Sequence, residues 1–337
     1  MISELTSKLK ARKDLASVEM TRAMRDIMTG DVATQDIADF ILALAEKGET
    51  VDEIVAAVSV MRTLAVPVKV SRDIVLDTCG TGGDRKGTFN ISTTAAFIVS
   101  ACGVTVAKHG NRAVSSSCGS ADVLEAAGIV LSMPVDKIER CLRDVGIAFL
   151  YAPDFHPAMK HAAAARKQLG RRTIFNIMGP LSNPAHATHQ LVGVFSPDLM
   201  PVIAGVLGAL GTKRALVIHS KDGLDEISTT GTTLMCEFRE GVVTDFEVTP
   251  EMFGLNRVSV DQLRGGSVQD NVKTMLDILR GARGIKRDIV VLNAAGALYA
   301  AGQAATIAEG ITLANRAVDS GDAFNRFEAL KEFTRHG

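Results

Sequence analysis

Three glycines fall within four positions in the segment Asp77-Thr-Cys-Gly-Thr-Gly-Gly-Asp84. Glycine adopts backbone conformations that are closed to other residues, and it lets main-chain N–H groups approach an anion closely. A loop of this composition therefore suits a phosphate group. A glycine-rich turn between a strand and a helix is also a common tight connection, and this spacing fits neither the dinucleotide fingerprint nor the P-loop. The segment alone leaves both interpretations open.

Two further polar segments are predicted to face the same space as this glycine loop. Asn90-Ile-Ser-Thr93 begins an apolar helical run, so the free N–H groups of a helix N-terminus should lie beside the glycines. Residues 104–107 have the composition of a buried strand, and its end is followed by Lys108-His-Gly-Asn-Arg112. Loops at the carboxyl ends of adjacent strands in an open α/β sheet share one crevice. The sequence therefore predicts a pocket for a phosphorylated ligand, with positive charge from Lys108 and Arg112.

From residue 74 onward, strand-like and helix-like segments alternate along the chain. Strands are predicted at residues 74–77, 104–107, 147–151, 190–195, 215–219 and 289–293. Helices are predicted between most of them, and this alternation is typical of an α/β fold with a central, largely parallel sheet flanked by helices. The run from Cys236 to Thr249 is predicted to be a peripheral hairpin that turns near Glu240-Gly241.

The chain before residue 70 is predicted to contain helices only. One apolar stripe, which includes Met20, Met24 and Ile27, ends at Gly30. A second stripe lies between residues 34 and 48, and a capping-box sequence, Thr50-Val-Asp-Glu53, precedes a third helix. These patterns predict a small all-helical N-terminal domain.

We predict two domains from these patterns. The helical domain covers residues 1–70, and the larger α/β domain covers residues 71–337. Residues 173–187 are a candidate to join the helical domain. The apolar stripes suit a homodimer interface, but a helix face that packs within one chain has the same pattern.

The bulk composition is that of an ordinary globular protein. The formal net charge is −1 and both signs are interspersed, which argues against a general nucleic-acid or membrane surface. The first residues contain no apolar signal core, and no apolar run approaches the roughly 18 residues of a membrane span. Five cysteines are scattered without a paired metal spacing, as expected of reduced thiols. These features predict a cytoplasmic protein that acts on small molecules.

An acidic segment, Asp222-Gly-Leu-Asp-Glu-Ile-Ser228, directly follows the strand predicted at residues 215–219. Adjacent carboxylates at a strand end are the oxygen ligands that Mg²⁺ prefers when it also holds substrate phosphates. Asp-Glu pairs are abundant, however, so the residues alone favour a solvated acidic loop over a metal site.

The motifs together resemble those of a known family. They are Gly80-Thr-Gly-Gly-Asp84, Asn90-Ile-Ser-Thr93, Lys108-His-Gly-Asn-Arg-Ala-Val-Ser-Ser116, Gly119-Ser-Ala-Asp122 and Gly179-Pro-Leu-Ser-Asn-Pro184. In this order the chain resembles the anthranilate phosphoribosyltransferases. The resemblance implies transfer of a phosphoribosyl group from phosphoribosyl pyrophosphate to anthranilate in tryptophan biosynthesis. It also implies a magnesium cofactor and a homodimer.

The resemblance further implies which residues form the site. Those implied for phosphoribosyl pyrophosphate are Gly80, Gly82, Gly83, Asp84, Thr88, Asn90, Ile91, Ser92, Thr93, Lys108, His109, Gly110, Asn111, Arg112, Ala113, Val114, Ser115, Ser116 and Ser120. Those implied for anthranilate are Gly80, Asn111 and Arg166, and the implied magnesium ligands are Ser92, Asp225 and Glu226. Lys108, Asn111 and Arg166 are the implied catalytic residues. A guanidinium such as that of Arg166 suits a carboxylate because its planar fork matches both oxygens.

His109 has two possible roles. Its ordinary pKa lies near neutrality, at about 6.5, so it could act as a general base. The alternative is a pocket wall that shapes an aromatic site. An arylamine is already a free base at neutral pH and needs no strong base before it attacks, so we favour the wall.

Three other functions remain as alternatives. A pyrimidine nucleoside phosphorylase shares the family's fold, but the Asp225-Glu226 pair favours a pyrophosphate leaving group. A phosphoribosyltransferase for another aromatic acceptor is the second alternative. The third is a binding protein without activity, which does not explain why Lys108, Arg166 and both carboxylates are all present.

Overall fold

A computed structural model describes residues 2–82, 86–113 and 118–337 of the chain. The chain begins with the four helices α1 (Ile2–Lys10), α2 (Ser17–Thr29), α3 (Thr34–Lys47) and α4 (Val51–Leu64). The strands are β1 (Val75–Gly80), β2 (Thr105–Gly110), β3 (Ile147–Tyr151), β4 (His189–Gly193), β5 (Arg214–Ser220), β6 (Thr233–Arg239) and β7 (Val242–Val248). The remaining helices are α5 (Ile91–Ala101), α6 (Ser120–Ala126), α7 (Val135–Asp144), α8 (Ala152–Phe155), α9 (Lys160–Leu169), α10 (Ile174–Leu181), α11 (Leu199–Ala209), α12 (Val268–Leu279), α13 (Ile285–Ala300), α14 (Ile307–Asp319) and α15 (Asp322–His336).

The seven strands form one sheet in the order β3-β2-β1-β4-β5-β6-β7. The first five strands in this order, β3, β2, β1, β4 and β5, are parallel to one another. β6 and β7 follow as antiparallel strands at one edge of the sheet. The chain adds β2 and β3 on one side of β1, and then adds β4 and β5 on its other side. The boundary between β1 and β4 is therefore a topological switch point. Ligands of open α/β sheets bind in the crevice at the carboxyl ends of the strands at such a point.

Both faces of the sheet are covered. In β5, Leu216 and Ile218 join the core that contains α5, α13 and α15, whereas Ala215 and Val217 join the core that contains the N-terminal helices, α10 and α11. This alternation follows from the two-residue side-chain period of a strand. The predicted fold class, a helical N-terminal part and an α/β part with a largely parallel sheet, is confirmed.

The N-terminal helices have the local features that the sequence predicts. Gly30 ends α2 with a φ of 88°, in the left-handed region where glycine is favoured. At α4 the Thr50 hydroxyl accepts a hydrogen bond from the Glu53 N–H at 3.3 Å, and the Glu53 carboxylate accepts from the Thr50 N–H at 2.8 Å. Met20, Met24 and Ile27 are fully buried within this chain. This apolar stripe therefore packs within one chain and does not form a homodimer interface.

The exact domain division stays a prediction. Helix α10 lies in the predicted returning segment, and its Phe175 and Met178 share a core with the N-terminal helices. This packing is compatible with the division that the sequence predicts.

One predicted strand is wrong. Residues 289–293 lie inside the helix α13, whose residues from Ile289 to Leu298 are all buried. A helix that is buried on every side has no amphipathic period, so a short apolar run cannot be assigned from its pattern. The alanines that follow Asn293 are strong helix formers and favour the observed structure. The predicted hairpin is confirmed, because β6 and β7 pair at the sheet edge around Glu240 and Gly241, both at positive φ.

The five cysteines are all free thiols, as their spacing predicts. Burial raises the pKa of Cys141 and of Cys236 to about 12, so these two thiols behave as small apolar side chains. Across the described part of the chain, every helix is too short or too polar to serve as a membrane span.

Candidate functional site

The glycine loop and the acidic loop meet at the switch point of the sheet. Gly80 at the end of β1 lies opposite Gly193 at the end of β4. A Cβ atom on Gly80 would lie 2.5 Å from Asp225 Oδ2, and one on Gly193 would lie 1.7 Å from the Asp225 carbonyl oxygen. Only glycine therefore permits the observed approach of Asp225 at either position. The sequence analysis singled out Gly80 and missed Gly193, which stands in no recognisable motif.

Main-chain N–H groups hold both carboxylates of the acidic loop. The Gly82 N–H donates to Asp225 Oδ2 at 3.2 Å, and the Ser92 N–H donates to Glu226 Oε1 at 3.1 Å. Ser92 lies in the first turn of α5, where the positive end of the helix dipole stabilises a carboxylate. Ser92 and Glu226 are 134 residues apart in the chain. The fold thus brings the three predicted magnesium ligands to one place.

The donor set of this cluster fits magnesium. Within residues 2–82, 86–113 and 118–337, no group of three or more His, Cys, Asp or Glu side chains could hold a metal by itself. Asp225 and Glu226 supply two carboxylates, and Ser92 supplies a hydroxyl. Mg²⁺ commonly binds through one or two carboxylates and completes its shell with substrate phosphates and water. Two carboxylates and one hydroxyl would leave coordination positions for a phosphorylated ligand and for water.

Lys108 lies within β2, two residues before the strand ends, and is only 4% exposed. Its ammonium group donates a hydrogen bond to the Thr78 carbonyl oxygen of β1. Burial lowers the pKa of Lys108, while the negative charges of Asp77 and Glu226 oppose that effect. Lys108 therefore introduces positive charge beside one of the two carboxylates of the acidic loop.

Asp77, the first residue of the glycine motif, connects several segments through its carboxylate. Its carboxylate accepts hydrogen bonds from the His109 N–H at 3.1 Å and from Asn183 Nδ2 at 2.8 Å. Burial raises the pKa of Asp77 to about 6, although Lys108 and the Asn183 hydrogen bond act in the opposite direction. The carboxylate thus connects β1 to β2 and to the segment after α10.

His109 is buried against α10. Its Nδ1 lies 3.2 Å from the Gly179 carbonyl oxygen, so Nδ1 carries the proton and donates it. Its ring meets that of His156 edge to face, with centroids 5.1 Å apart. Burial lowers the pKa of His109 to about 3, and His156 adds to the effect. A neutral, weakly basic imidazole in this position favours the pocket wall over the general base.

His109→Asn tests whether the imidazole is buried in its neutral form. The folded pKa of about 3 lies below the unfolded value, so the unfolded state binds more protons between these two values and stability falls as the pH falls. Asparagine keeps a donor for the Gly179 oxygen and does not titrate. Between pH 7 and pH 5 the wild type should lose about 2 kcal/mol more unfolding free energy than the variant. Urea unfolding at both pH values measures this difference, and parallel pH dependences would contradict it.

The loop after β2 is tied to α6. Arg112 forms an ion pair with Glu125 at 2.7 Å and with Asp122 at 3.2 Å. Asp122 also accepts hydrogen bonds from the Ala113 and Gly119 N–H groups, both at 2.9 Å. The charge of Arg112 is thus balanced within the protein before any phosphate binds.

Asn111 and Gly110 lie at the entrance of this loop. Asn111 is exposed, and its Oδ1 accepts from the Arg112 N–H at 2.7 Å. A Cβ on Gly110 would lie 2.4 Å from the Ser120 hydroxyl oxygen, so glycine permits the start of α6 to approach β2. Of the residues predicted to contact phosphoribosyl pyrophosphate, Gly83, Asp84, Val114, Ser115 and Ser116 lie outside the described residues.

At the start of α5, main-chain N–H groups and the amide side chain of Asn90 are the polar groups that a ligand could contact. Ile91 and Thr93 are 1% and 2% exposed, so a ligand would reach their N–H groups and not their side chains. Asn90 Nδ2 donates to the Cys118 carbonyl oxygen at 3.2 Å. Its buried Oδ1 finds no hydrogen-bond partner among the described atoms. Thr88, in the preceding segment, forms an isolated bridge with Arg264.

Arg166 lies on α9, which packs against α2 and α3. Its guanidinium carbon is 5.5 Å from the centre of the Phe175 ring on α10, and burial lowers its pKa. The same helix α10 supplies the Gly179 oxygen that binds His109. Helix α10 therefore connects Arg166 to the strand ends, and the side chain is half-buried without an ion pair to any described residue.

Two residues that bind the main chain of the acidic loop escaped the sequence analysis. Asp222 accepts hydrogen bonds from the Leu224 N–H at 3.0 Å and from the Ser228 hydroxyl at 2.7 Å. Asn293 on α13 binds the main chain of Ile227, which directly follows the carboxylate pair. Asp222 was visible as the start of an Asp-Gly turn. A buried asparagine in an apolar run was the available signal for Asn293, but the strand prediction obscured it.

Comparisons with known proteins match both parts of the chain. Residues 3–65 match the helical bundle domain of a glycosyl transferase family, and residues 72–324 match the a/b domain of that family. The anthranilate phosphoribosyltransferase of Petrotoga mobilis is 48% identical over 334 residues, which are 99% of this chain and 97% of that protein.

Solved structures agree with these matches. The crystal structure of anthranilate phosphoribosyltransferase from Thermus thermophilus has a TM-score of 0.93 and 40% identity, covering 98% of this chain and 99% of that one. The Saccharomyces cerevisiae enzyme in complex with phosphoribosyl pyrophosphate and magnesium has a TM-score of 0.91 and 26% identity, covering 99% and 98%. Sequence identity, fold and the gathered motifs lead to one conclusion: the chain belongs to the anthranilate phosphoribosyltransferase family.

Proposed function

We propose that this protein transfers the 5-phosphoribosyl group from phosphoribosyl pyrophosphate to the amine of anthranilate, giving N-(5-phosphoribosyl)anthranilate and pyrophosphate. This is a step of tryptophan biosynthesis. One observation carries the proposal: the glycine loop, the α5 N-terminus and the Asp225-Glu226 pair meet at the switch point of the sheet. The named relatives support the same reaction.

The pyrophosphate end of the donor is proposed to lie over the glycine loop and the start of α5. N–H groups of a helix N-terminus bind phosphate oxygens well because they are free donors at the positive end of the dipole. Asp225, Glu226 and the Ser92 hydroxyl would hold Mg²⁺, which supplies positive charge against the phosphate oxygens. The yeast relative in complex with phosphoribosyl pyrophosphate and magnesium supports this cofactor.

The chain's own residues then account for the remaining charge and orientation. Lys108 offsets negative charge that develops on the departing pyrophosphate, while the ribosyl carbon becomes oxocarbenium-like. Arg166 binds the anthranilate carboxylate, and Asn111 helps to orient the ring. The amine attacks the ribosyl carbon from the face opposite the leaving group as the C–O bond to pyrophosphate breaks, with inversion and without a covalent enzyme intermediate. The proton that the amine nitrogen loses passes to the departing pyrophosphate or to water. Catalysis in this scheme comes mainly from orientation and charge stabilisation.

The neutral state of His109 supports this scheme. Burial lowers the pKa of His109 to about 3, so the imidazole is a poor proton acceptor at neutral pH. The aromatic amine is a free base at that pH and needs no proton removed before attack. His109 and the contacting His156 are therefore assigned to the wall of the acceptor pocket.

The fluorescence of anthranilate tests the proposal, because the chain has no tryptophan to obscure it. Fluorescence should fall only when phosphoribosyl pyrophosphate and Mg²⁺ are both present, and chelation by EDTA should stop the loss. Adding Mg²⁺ back in excess over the chelator should restore it. No loss under any condition, together with calorimetric binding of phosphoribosyl pyrophosphate, would overturn anthranilate as the acceptor. Other aromatic amines would then be tested.

The proposal includes the localisation and the oligomeric state of the protein. A cytoplasmic homodimer is supported by the resemblance to the family. The burial of Met20, Met24 and Ile27 inside one chain means that this stripe is not the interface. Sedimentation equilibrium tests the dimer.

A further inference from the structure

The side chain of Asn293 pairs with the main chain of one residue in the acidic loop. The Ile227 N–H donates to Asn293 Oδ1 at 2.8 Å, and Asn293 Nδ2 donates to the Ile227 carbonyl oxygen at 2.9 Å. The same Nδ2 also donates to the Ile289 oxygen one turn earlier in α13, at 2.8 Å. Asn293 is 1% exposed, so water does not compete for these bonds. The amide thus satisfies both polar groups of a fully buried residue.

The side chain of Ile227 is seated on the same face of α13. Positions 293 and 296 are three apart and face the same direction on a helix. A Cβ atom on Gly296 would lie 2.2 Å from Ile227 Cδ1, so the isoleucine fills the space that glycine leaves. The main chain and side chain of Ile227 are therefore both fixed by α13, immediately after Asp225 and Glu226.

The other end of the loop is fixed by Asp222. Its carboxylate accepts hydrogen bonds from the Leu224 N–H, the Ser228 hydroxyl and the Thr230 hydroxyl. These bonds close the loop on itself around the two carboxylates, but they do not attach it to another element. Asn293 attaches the loop's main chain to α13, and the Ser228 N–H attaches its end to β6 by donating to the Thr233 hydroxyl at 2.9 Å.

Rigid attachment matters because the loop presents two adjacent negative charges at a site for phosphates. Unless a cation lies between them, carboxylates and phosphates repel each other, and a mobile loop would move away. Side chains that hold a ligand-bearing segment in place reduce the cost of organising it when the metal binds.

We propose that Asn293 is a positioning residue that holds Asp225 and Glu226 in the geometry needed for the metal-bound donor. The kinetic part of this inference rests on the proposed function. The structural part rests on the two bonds to Ile227 and on the contact at Gly296. Asn293 acts through Ile227 and touches neither the substrate nor the metal.

Asn293→Leu removes both bonds to Ile227, together with the bond to the Ile289 oxygen, and keeps the approximate volume of the side chain. Mn²⁺ serves as the probe, and its binding to the protein with phosphoribosyl pyrophosphate and without anthranilate is followed by electron paramagnetic resonance. The apparent Mn²⁺ affinity should fall about 10-fold or more, as for other residues that orient metal ligands. The Mg²⁺ concentration for half-maximal activity should rise by a similar factor, whereas the KM for anthranilate should stay within about a factor of two.

Asn315→Leu is the matched control. Asn315 on α14 accepts a hydrogen bond from the buried Arg287 at 2.7 Å, away from the strand ends. The control should lower the melting temperature without changing Mn²⁺ affinity. An equal loss of Mn²⁺ affinity in both variants would show a general effect of instability and overturn the inference.

Asn293→Asp is the second variant, in case the leucine variant does not fold. It keeps an acceptor for the Ile227 N–H and loses the donor to the Ile227 oxygen. Its Mn²⁺ affinity should lie between those of the wild type and the leucine variant, or below the wild type if only this variant folds. A folded variant with wild-type Mn²⁺ affinity and Mg²⁺ requirement would overturn the inference. If instead the wild type consumes no anthranilate, the proposed function fails, and Mn²⁺ binding still tests the loop.

Discussion

Lys108→Met is expected to lower kcat by about 100-fold or more, the size of effect seen when one preorganised positive or donor group is removed from a transition state. Methionine keeps most of the buried stem of the lysine and removes its charge. In the structure that charge lies beside Asp77 and Glu226 and is held by the Thr78 carbonyl oxygen. Its loss should affect the step in which negative charge moves to pyrophosphate, and should change anthranilate binding much less.

Steady-state kinetics with each substrate varied in turn measures this effect. Lys47→Met is the matched control, because the Lys47 ammonium group is also shielded from water and is paired with Glu53 at 2.8 Å in the helical region. The control should lose stability and keep kcat within about a factor of two. An unchanged kcat in folded Lys108→Met protein would contradict the proposed role of Lys108.

Arg166→Ala is expected to raise the KM for anthranilate about 10- to 100-fold, which corresponds to the loss of a hydrogen-bonded charge pair. The KM for phosphoribosyl pyrophosphate should change far less. Arg166 is half-buried on α9, and its guanidinium carbon lies 5.5 Å from the centre of the Phe175 ring, without an ion pair to any residue in the described part of the chain. A partly desolvated guanidinium of this kind is well suited to an incoming carboxylate.

Two further variants separate charge from geometry. Arg166→Lys keeps the positive charge but not the planar fork, so its KM for anthranilate should fall between those of the wild type and the alanine variant. Arg171→Ala is the control, because Arg171 is 52% exposed and only loosely paired with Glu46 at 3.6 Å. Equal changes in KM for both substrates in Arg166→Ala would contradict the assignment to the carboxylate.

The arrangement of the site has a simple physical origin. Parallel strands expose their carboxyl ends at one edge, so the loops after β1, β4 and β5 meet there. Gly80 and Gly193 lack side chains at the point where Asp225 approaches, and the α5 N-terminus supplies an N–H group for Glu226. Two negative side chains can therefore stay close together before any cation arrives, because backbone dipoles compensate part of their charge.

The sequence by itself determined the local features of this protein. The glycine loop, the capping box at Thr50 and the turn at Glu240-Gly241 are encoded by neighbouring residues, because each depends on the φ preferences or hydrogen bonds of a few adjacent positions. The alternation of strands and helices also determined the sheet class, and with it the expectation that the loops at residues 80–84 and 108–112 share a crevice.

Only the tertiary structure decided the relations between distant segments. Residues 289–293 lie in a helix that is buried on all sides. Such a helix has no alternation of apolar and polar residues from which its period could be recognised in the sequence. The tertiary structure joined Ser92 to Glu226, and Asn293 to Ile227, across 134 and 66 residues respectively. Contacts of this kind depend on which surfaces the folded chain brings together. No local pattern records them, since hydrogen bonds between distant segments form only after the sheet has fixed their positions.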